Sequence, residues 1–291
     1  MFGRRPDGTL VRDVADVRRI VPYLMRGRNE SAVYFEQTID LTKVETFLDA
    51  YNAAHPDRRA TLFHVVAWAA AKVLDRRPRM NRFVAGGRLW QRDGIWISFS
   101  AKKRLDDEGT MFVVKRRFDP AASFAETVAF MYGDIVEGRS DAPSHTDKEL
   151  GLLLKLPGPG LRLLLAAERG LDRLGLLPKW FTEPDPMFCS AFIANLGSLK
   201  MDAAYHHLYE YGNCPIFCVI GRTHETPVVV HGGKKSKPTL AVGRVATLRW
   251  TFDERIEDGL YAQRCLQMLA SMVEDPAAED AGDVDAETAT G

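Results

Sequence analysis

Asp253-Glu254-Arg255-Ile256-Glu257-Asp258-Gly259 sets five ionisable side chains around one aliphatic residue near the C-terminal end of the chain. Buried charges persist mainly when paired, so Arg255 among these acids predicts an ion-pair network with Asp253 and Asp258 that shapes a turn. Upstream, Leu240 to Phe252 reads as a strand. Downstream, Gly259 to Val273 reads as the closing helix.

Working outward, the β-rich half continues with Ser190 to Ala194, Ile216 to Gly221 and Pro227 to His231. Gly232-Gly233 followed by Lys234, Lys235 and Lys237 reads as a basic hairpin tip, suited to a phosphate group or simply solvated. In the N-terminal half, Val14 to Met25 predicts a short helix interrupted by Pro22. Ala32 to Asp40 alternates as a strand, and Thr42 to Ala54 forms a one-faced helix. Thr61 is placed to cap a second helix to Arg76, apolar nearly all round and therefore buried. Strands are expected at Arg82 to Val84, Ile95 to Ala101 and Met111 to Arg117, and a helix from Ser123 to about Glu137. Residues 140–186 differ in character, with a Leu-rich helix from Leu161 to Leu177 after a Pro-Gly-Pro-Gly break. The predicted domain spans 1–275, with 140–186 a divergent helical insertion and 276–291 a disordered acidic tail. Interleaved strands and helices predict one α/β domain, a mixed sheet flanked by helices.

The chain has 291 residues, with 39 Lys plus Arg against 39 Asp plus Glu. That balance argues against a nucleic-acid partner. The opening lacks an apolar leader, and no apolar run reaches the roughly 18 residues of a membrane span, so a cytoplasmic setting is expected. Cys189, Cys214, Cys218 and Cys265 match no zinc or CxxC spacing, and no metal is expected.

Several local patterns, in order, carry a family resemblance. They are Arg18-Arg19-Ile20 with Met25, Asp40-Leu41-Thr42, the helix before Pro78 and Asn81, Asn195-Leu196-Gly197, Pro215 to Gly221, and the opening heptad. Together they resemble the catalytic domain of the 2-oxoacid dehydrogenase acyltransferases (the E2 core), which shares the chloramphenicol acetyltransferase-like fold. The resemblance implies that fold, a homotrimer or an assembly of trimers, and coenzyme A or acyl-CoA as substrate. It also implies a mechanism: a histidine in the heptad's second position deprotonates a nucleophile in a channel between subunits, and a Ser or Thr before Asn-Leu-Gly donates to the oxyanion. The Asp of the Asp-Gly pair, here Asp258, is implied to be architectural and salt-bridged to an Arg, and Arg18, Arg19, Arg255 and Asp253 are the expected structural ion-pair residues.

This sequence departs twice. The base position is Glu254 and the oxyanion position is Ala194, while Asp253, Arg255, Asp258 and Gly259 remain. A general base is worth about 10²–10⁴ in rate and an oxyanion donor about 10²–10³. A carboxylate with an ordinary pKa of about 4.3 is a poor base for a thiol. Conventional transfer is therefore expected to be lost or altered, the alternative being a non-catalytic oligomeric scaffold or acyl-CoA-binding protein.

The remaining candidates are Glu254 as an altered base or a partner of Arg255, with Asp258 beside it, and Ala194, Asn195 and Gly197 as the substrate-binding wall. His206 and His207 are the alternative catalysts; adjacent side chains in a helix or strand diverge, so at most one should face a substrate. His64 reads as a core histidine that nonetheless titrates near neutrality. The helix Leu161 to Leu177 is expected to pack, or to meet a protein partner or membrane surface.

Overall fold

The computed structural model describes residues 3–103, 109–138, 155–230 and 237–281. The hairpin tip with Lys234 and Lys235, the Leu152-Leu153-Leu154 run and the tail beyond 281 lie outside the described residues.

The central sheet has six strands in the order β3-β10-β9-β8-β6-β7. These are β3 (Ala32–Asp40), β6 (Ile95–Lys102), β7 (Met111–Phe118), β8 (Ala191–Asn195), β9 (Ile216–Val230) and β10 (Thr239–Asp253). β8 runs parallel to both β6 and β9, and the other pairings are antiparallel, so the sheet is mixed as expected. A four-stranded antiparallel sheet was not foreseen. It orders β1 (Arg4–Arg5), β2 (Gly8–Leu10), β5 (Arg88–Arg92) and β4 (Arg82–Ala85) as β1-β2-β5-β4. Its strands are too short to show a period in sequence.

Helix α3 (Leu62–Arg76) is the hub. Twelve of its residues are buried, so it lies between the central sheet and the flanking helices α4 (Phe124–Gly138) and the closing helix (Gly259–Glu274). Its apolar residues surround two polar anchors: Trp68 Nε1 donates to Ala122 O at 3.1 Å and Lys72 Nζ to Pro120 O at 3.1 Å. His64 sits at the third helical position, where its Nδ1 accepts from the Thr61 N–H at 3.1 Å. Burial holds its pKa down at about 4, so the core reading stands and the ring is neutral at pH 7.

Three expectations are corrected. Pro227 to His231 is not a separate strand: β9 runs unbroken from Ile216 to Val230, and Pro227 is tolerated because that stretch pairs with β10 alone. This two-stranded arm exposes Val229, Val230, Leu240 and Val242. Residues 276–281 are helical, with Glu279 paired to Arg76 and Asp280 accepting the Phe124 N–H at 3.0 Å, so disorder does not begin at 276. Finally, the Leu-rich helix, α5 (Gly158–Leu174), does not bury its leucines. Leu163, Leu164, Leu171 and Leu174 are exposed, while Glu168 and Asp172 face inward. Arg5, itself buried, pairs with Asp172 and Asp7. That network orients the helix by its acids, and periodicity cannot reveal it.

Candidate active site

The heptad forms a turn pinned at both ends. The Asp253 N–H donates to Pro215 O at 2.9 Å and the Glu254 N–H to Ser31 O at 2.9 Å. Ile256 drops fully into the core. Asp253, with no exposed surface, receives Arg255 Nε at 2.8 Å, Nη2 at 2.7 Å and the Arg255 N–H at 3.1 Å. The other guanidinium nitrogen, Nη1, donates to Met25 O at 3.1 Å and Arg26 O at 3.3 Å. All three guanidinium nitrogens of this buried cation are engaged. The pair is therefore Arg255 with Asp253, not with Glu254.

Arg18, from α1 (Asp16–Leu24), spans the turn. Its Nη1 donates to Glu254 O at 2.9 Å and its Nη2 lies 3.7 Å from Asp258 Oδ2. Asp258 also caps the closing helix by accepting the Tyr261 N–H at 2.9 Å. That bond, then the Arg18 charge, holds its carboxyl below the usual range. Asp258 is thus an architectural residue of the turn. Arg19 takes no part, pairing at 3.3 Å with Asp16 on the exposed face of α1. Glu257, buried and paired with Arg79 at 3.2 Å and Arg82 at 3.5 Å, is a member that sequence reasoning missed. Its position inside the heptad was the available signal.

Glu254 stands apart. It is half-buried, and among the described residues its carboxylate has no hydrogen-bond or ion-pair partner. A carboxylate left unpaired in so fully paired a turn is free to meet something outside this chain.

The other wall is elsewhere. Ala194 pairs with Val219, which pairs with Arg249; five further residues of β10 and its turn lead to Glu254. At about 3.3 Å per residue, Ala194 and Glu254 lie some ~17 Å apart along the strands. Asn195 Oδ1 accepts the Ser198 N–H at 3.2 Å, and Ser198 Oγ donates to Asn195 O at 2.8 Å, so that hydroxyl is engaged within its own turn. Gly197 is required here, because a Cβ would sit 2.6 Å from Gly221 O. One chain does not bring the two halves together.

His206 and His207 lie at the Glu254 end, since Thr251 Oγ1 donates to His206 O at 2.5 Å. Their rings do not diverge: they stack at 4.9 Å and 16°, and His206 also lies on Phe217 at 3.8 Å and 5°. The segment is neither helix nor strand, and each Nδ1 bonds the carbonyl of the following residue, at 2.7 and 2.9 Å. Partial burial lowers the His206 pKa. Among the described residues, no cluster of three or more His, Cys, Asp or Glu could hold a metal, and no helix is long and apolar enough to cross a membrane.

Residues 189–279 match the family model of the 2-oxoacid dehydrogenases acyltransferase (catalytic domain), which takes in both Asn195-Leu196-Gly197 and the heptad. No curated protein matches the chain. Among solved structures, a probable dihydrolipoamide acetyltransferase from Listeria monocytogenes is 16% identical, with a TM-score of 0.55 over 91% of this chain and 94% of that one. The dihydrolipoamide acetyltransferase of Azotobacter vinelandii, studied for the role of a serine, a histidine and an asparagine in its catalytic mechanism, is 17% identical, with a TM-score of 0.57 over 92% and 93%. The cubic core of a pyruvate dehydrogenase multienzyme complex gives 16%, 0.56, 92% and 93%. The chain has the fold of these E2 acyltransferase cores.

Proposed function

We propose that this chain, with the fold of the E2 acyltransferase cores and their family pattern over residues 189–279, is an acyltransferase-type protein whose conventional histidine-based transfer is lost or altered. The observation that carries the reading is Glu254, the one heptad acid whose side chain has no partner among the described residues. In the Azotobacter enzyme the histidine and asparagine studied lie four positions apart, as Glu254 and Asp258 do here. Glu254 takes the place of the base, Asp258 holds the turn, and Ala194 leaves the oxyanion without a side-chain donor.

In this reading the site forms between subunits of a trimer. The offset of ~17 Å along the strands between Ala194 and Glu254, with two strand spacings across the sheet, supports it, because a complete site then needs Glu254 of one copy and the Asn195-Gly197 turn of another. The exposed apolar β9–β10 arm is a surface such an assembly can cover. Coenzyme A or an acyl-CoA is the proposed ligand of the channel.

The test is acetyl-CoA consumption with dihydrolipoamide, run beside light scattering of the purified protein. Turnover at least about 10²-fold below the usual ~1–10³ s⁻¹ is expected, from a trimer or multiple of trimers. Ordinary turnover would overturn the loss of histidine chemistry, and a monomer would remove the shared site. Residual transfer that survives Glu254→Gln unchanged would exclude Glu254 as its base and leave a binding or scaffolding role.

A further inference from the structure

Away from the heptad, a buried carboxylate oxygen of Glu168 on α5 has no hydrogen-bond partner among the described residues. A cleft of about 910 Å³ opens between α5, the C-terminal end of α1 and the tip of the β4–β5 hairpin. Its walls are tightly fitted. Gly86 and Gly87 at the hairpin tip both have positive φ, and a Cβ on Gly86 would lie 2.2 Å from Arg173 O, one on Gly87 3.0 Å from the Tyr23 ring.

The deep arginines of this cleft are committed. Arg28 donates to Tyr209 O and Glu210 O, and Arg255 is bound to Asp253. The outer ones are not: among the described residues, the side chains of Arg26, Arg88, Arg169 and Arg173 form no ion pair or hydrogen bond. On the floor lies Glu168, only 8% exposed, with Oε2 unpartnered. A buried polar oxygen without a partner is costly and is ordinarily satisfied by a ligand or solvent.

We propose that this cleft is a binding site for a small phosphate-bearing molecule, its phosphates held by Arg169, Arg173, Arg88 and Arg26 and one phosphate oxygen hydrogen-bonded to Glu168. The volume suits a nucleotide-sized ligand, and the guanidinium fork suits phosphate oxygens. Glu168 is compatible with an anion because burial, then the charges of Asp172 and Asp185, raise its pKa to about 7, opposed by Arg169 and Arg28. In its acid form it donates a hydrogen bond rather than repelling. The site is built on α5 and is independent of the acyl-transfer reading.

Calorimetric titration of the full chain with inorganic pyrophosphate and with ADP at pH 6.5 tests it, adenosine serving as the uncharged control. Saturable binding of pyrophosphate, ADP or both, with Kd below about 1 mM, is expected, weakened tenfold or more in Arg169→Ala/Arg173→Ala. Arg162→Ala, on the same helix but outside the cleft, should leave it within about twofold. Equal affinity for the two probes restricts recognition to phosphates, and tighter ADP adds a nucleoside contact. Glu168→Gln should bind more tightly than the parent chain above pH 8, where the parent carboxylate is ionised. No saturable binding to about 10 mM, equal binding of adenosine, or equal loss in Arg162→Ala would overturn the assignment.

Discussion

Asp253→Asn separates the scaffold of the heptad from its chemistry. The replacement is isosteric, yet it removes the negative charge that meets Arg255 at 2.7 and 2.8 Å and turns an amide toward a guanidinium that is 3% exposed. Arg255 keeps only the carbonyls of Met25 and Arg26. Leaving one member of a buried pair uncompensated costs about 3–5 kcal/mol. In a chain of this size that corresponds to a fall in Tm on the order of 5–15 °C. Glu254→Gln, one residue away, alters a half-buried side chain with no partner among the described residues and should change stability by no more than about 0.5 kcal/mol. Urea unfolding of both variants at pH 7, with scanning calorimetry, makes the comparison. A loss below about 1 kcal/mol for Asp253→Asn, or an equal loss for Glu254→Gln, would refute the division of the turn into paired scaffold and free carboxylate.

Other outcomes follow from the same structure. His64 has its folded pKa lowered to about 4, so the unfolded chain takes up its proton first, and stability present above about pH 6.5 is lost as pH falls toward 4. His64→Gln keeps a capping-box residue and should recover about 2 kcal/mol of the parent chain's loss between pH 7 and pH 5, read from urea midpoints; no difference would mean the ring is not held neutral. Glu168 has its folded pKa raised to about 7, so its ionisation destabilises the fold as pH rises through 7. Glu168→Gln should therefore raise Tm at pH 8.5 and leave it nearly unchanged at pH 5; the reverse order would contradict a buried, unpaired carboxyl. Finally, Ala194→Ser combined with Glu254→His should raise acetyl transfer to dihydrolipoamide by about 10² or more over the parent chain, and the same pair of changes giving no rise would mean that more than these two groups separates it from transfer chemistry.

The amino-acid order by itself determined the elements whose stability is local or strongly patterned. Ala32–Asp40, Thr42–Ala54 and the buried helix capped at Thr61 were legible because alternation, one-faced periodicity and capping chemistry act over a few residues. The heptad was legible as an ion-pair turn for the same reason, and so was the substitution at Glu254. Only the tertiary structure decided which acid Arg255 takes, because Glu254 is its nearer neighbour in sequence but only Asp253 is buried with it. It also reversed α5, whose leucines face out while Arg5, far away in the chain and itself buried, pairs with Asp172 and holds that face of the helix inward. It stacked His206 on His207 because their backbone is irregular there. Such choices depend on partners tens to hundreds of residues distant, and no local period encodes them. The separation of Ala194 from Glu254 is of this kind: order in a motif is a property of the chain, while the offset of roughly 17 Å along the strands follows from which strands lie side by side.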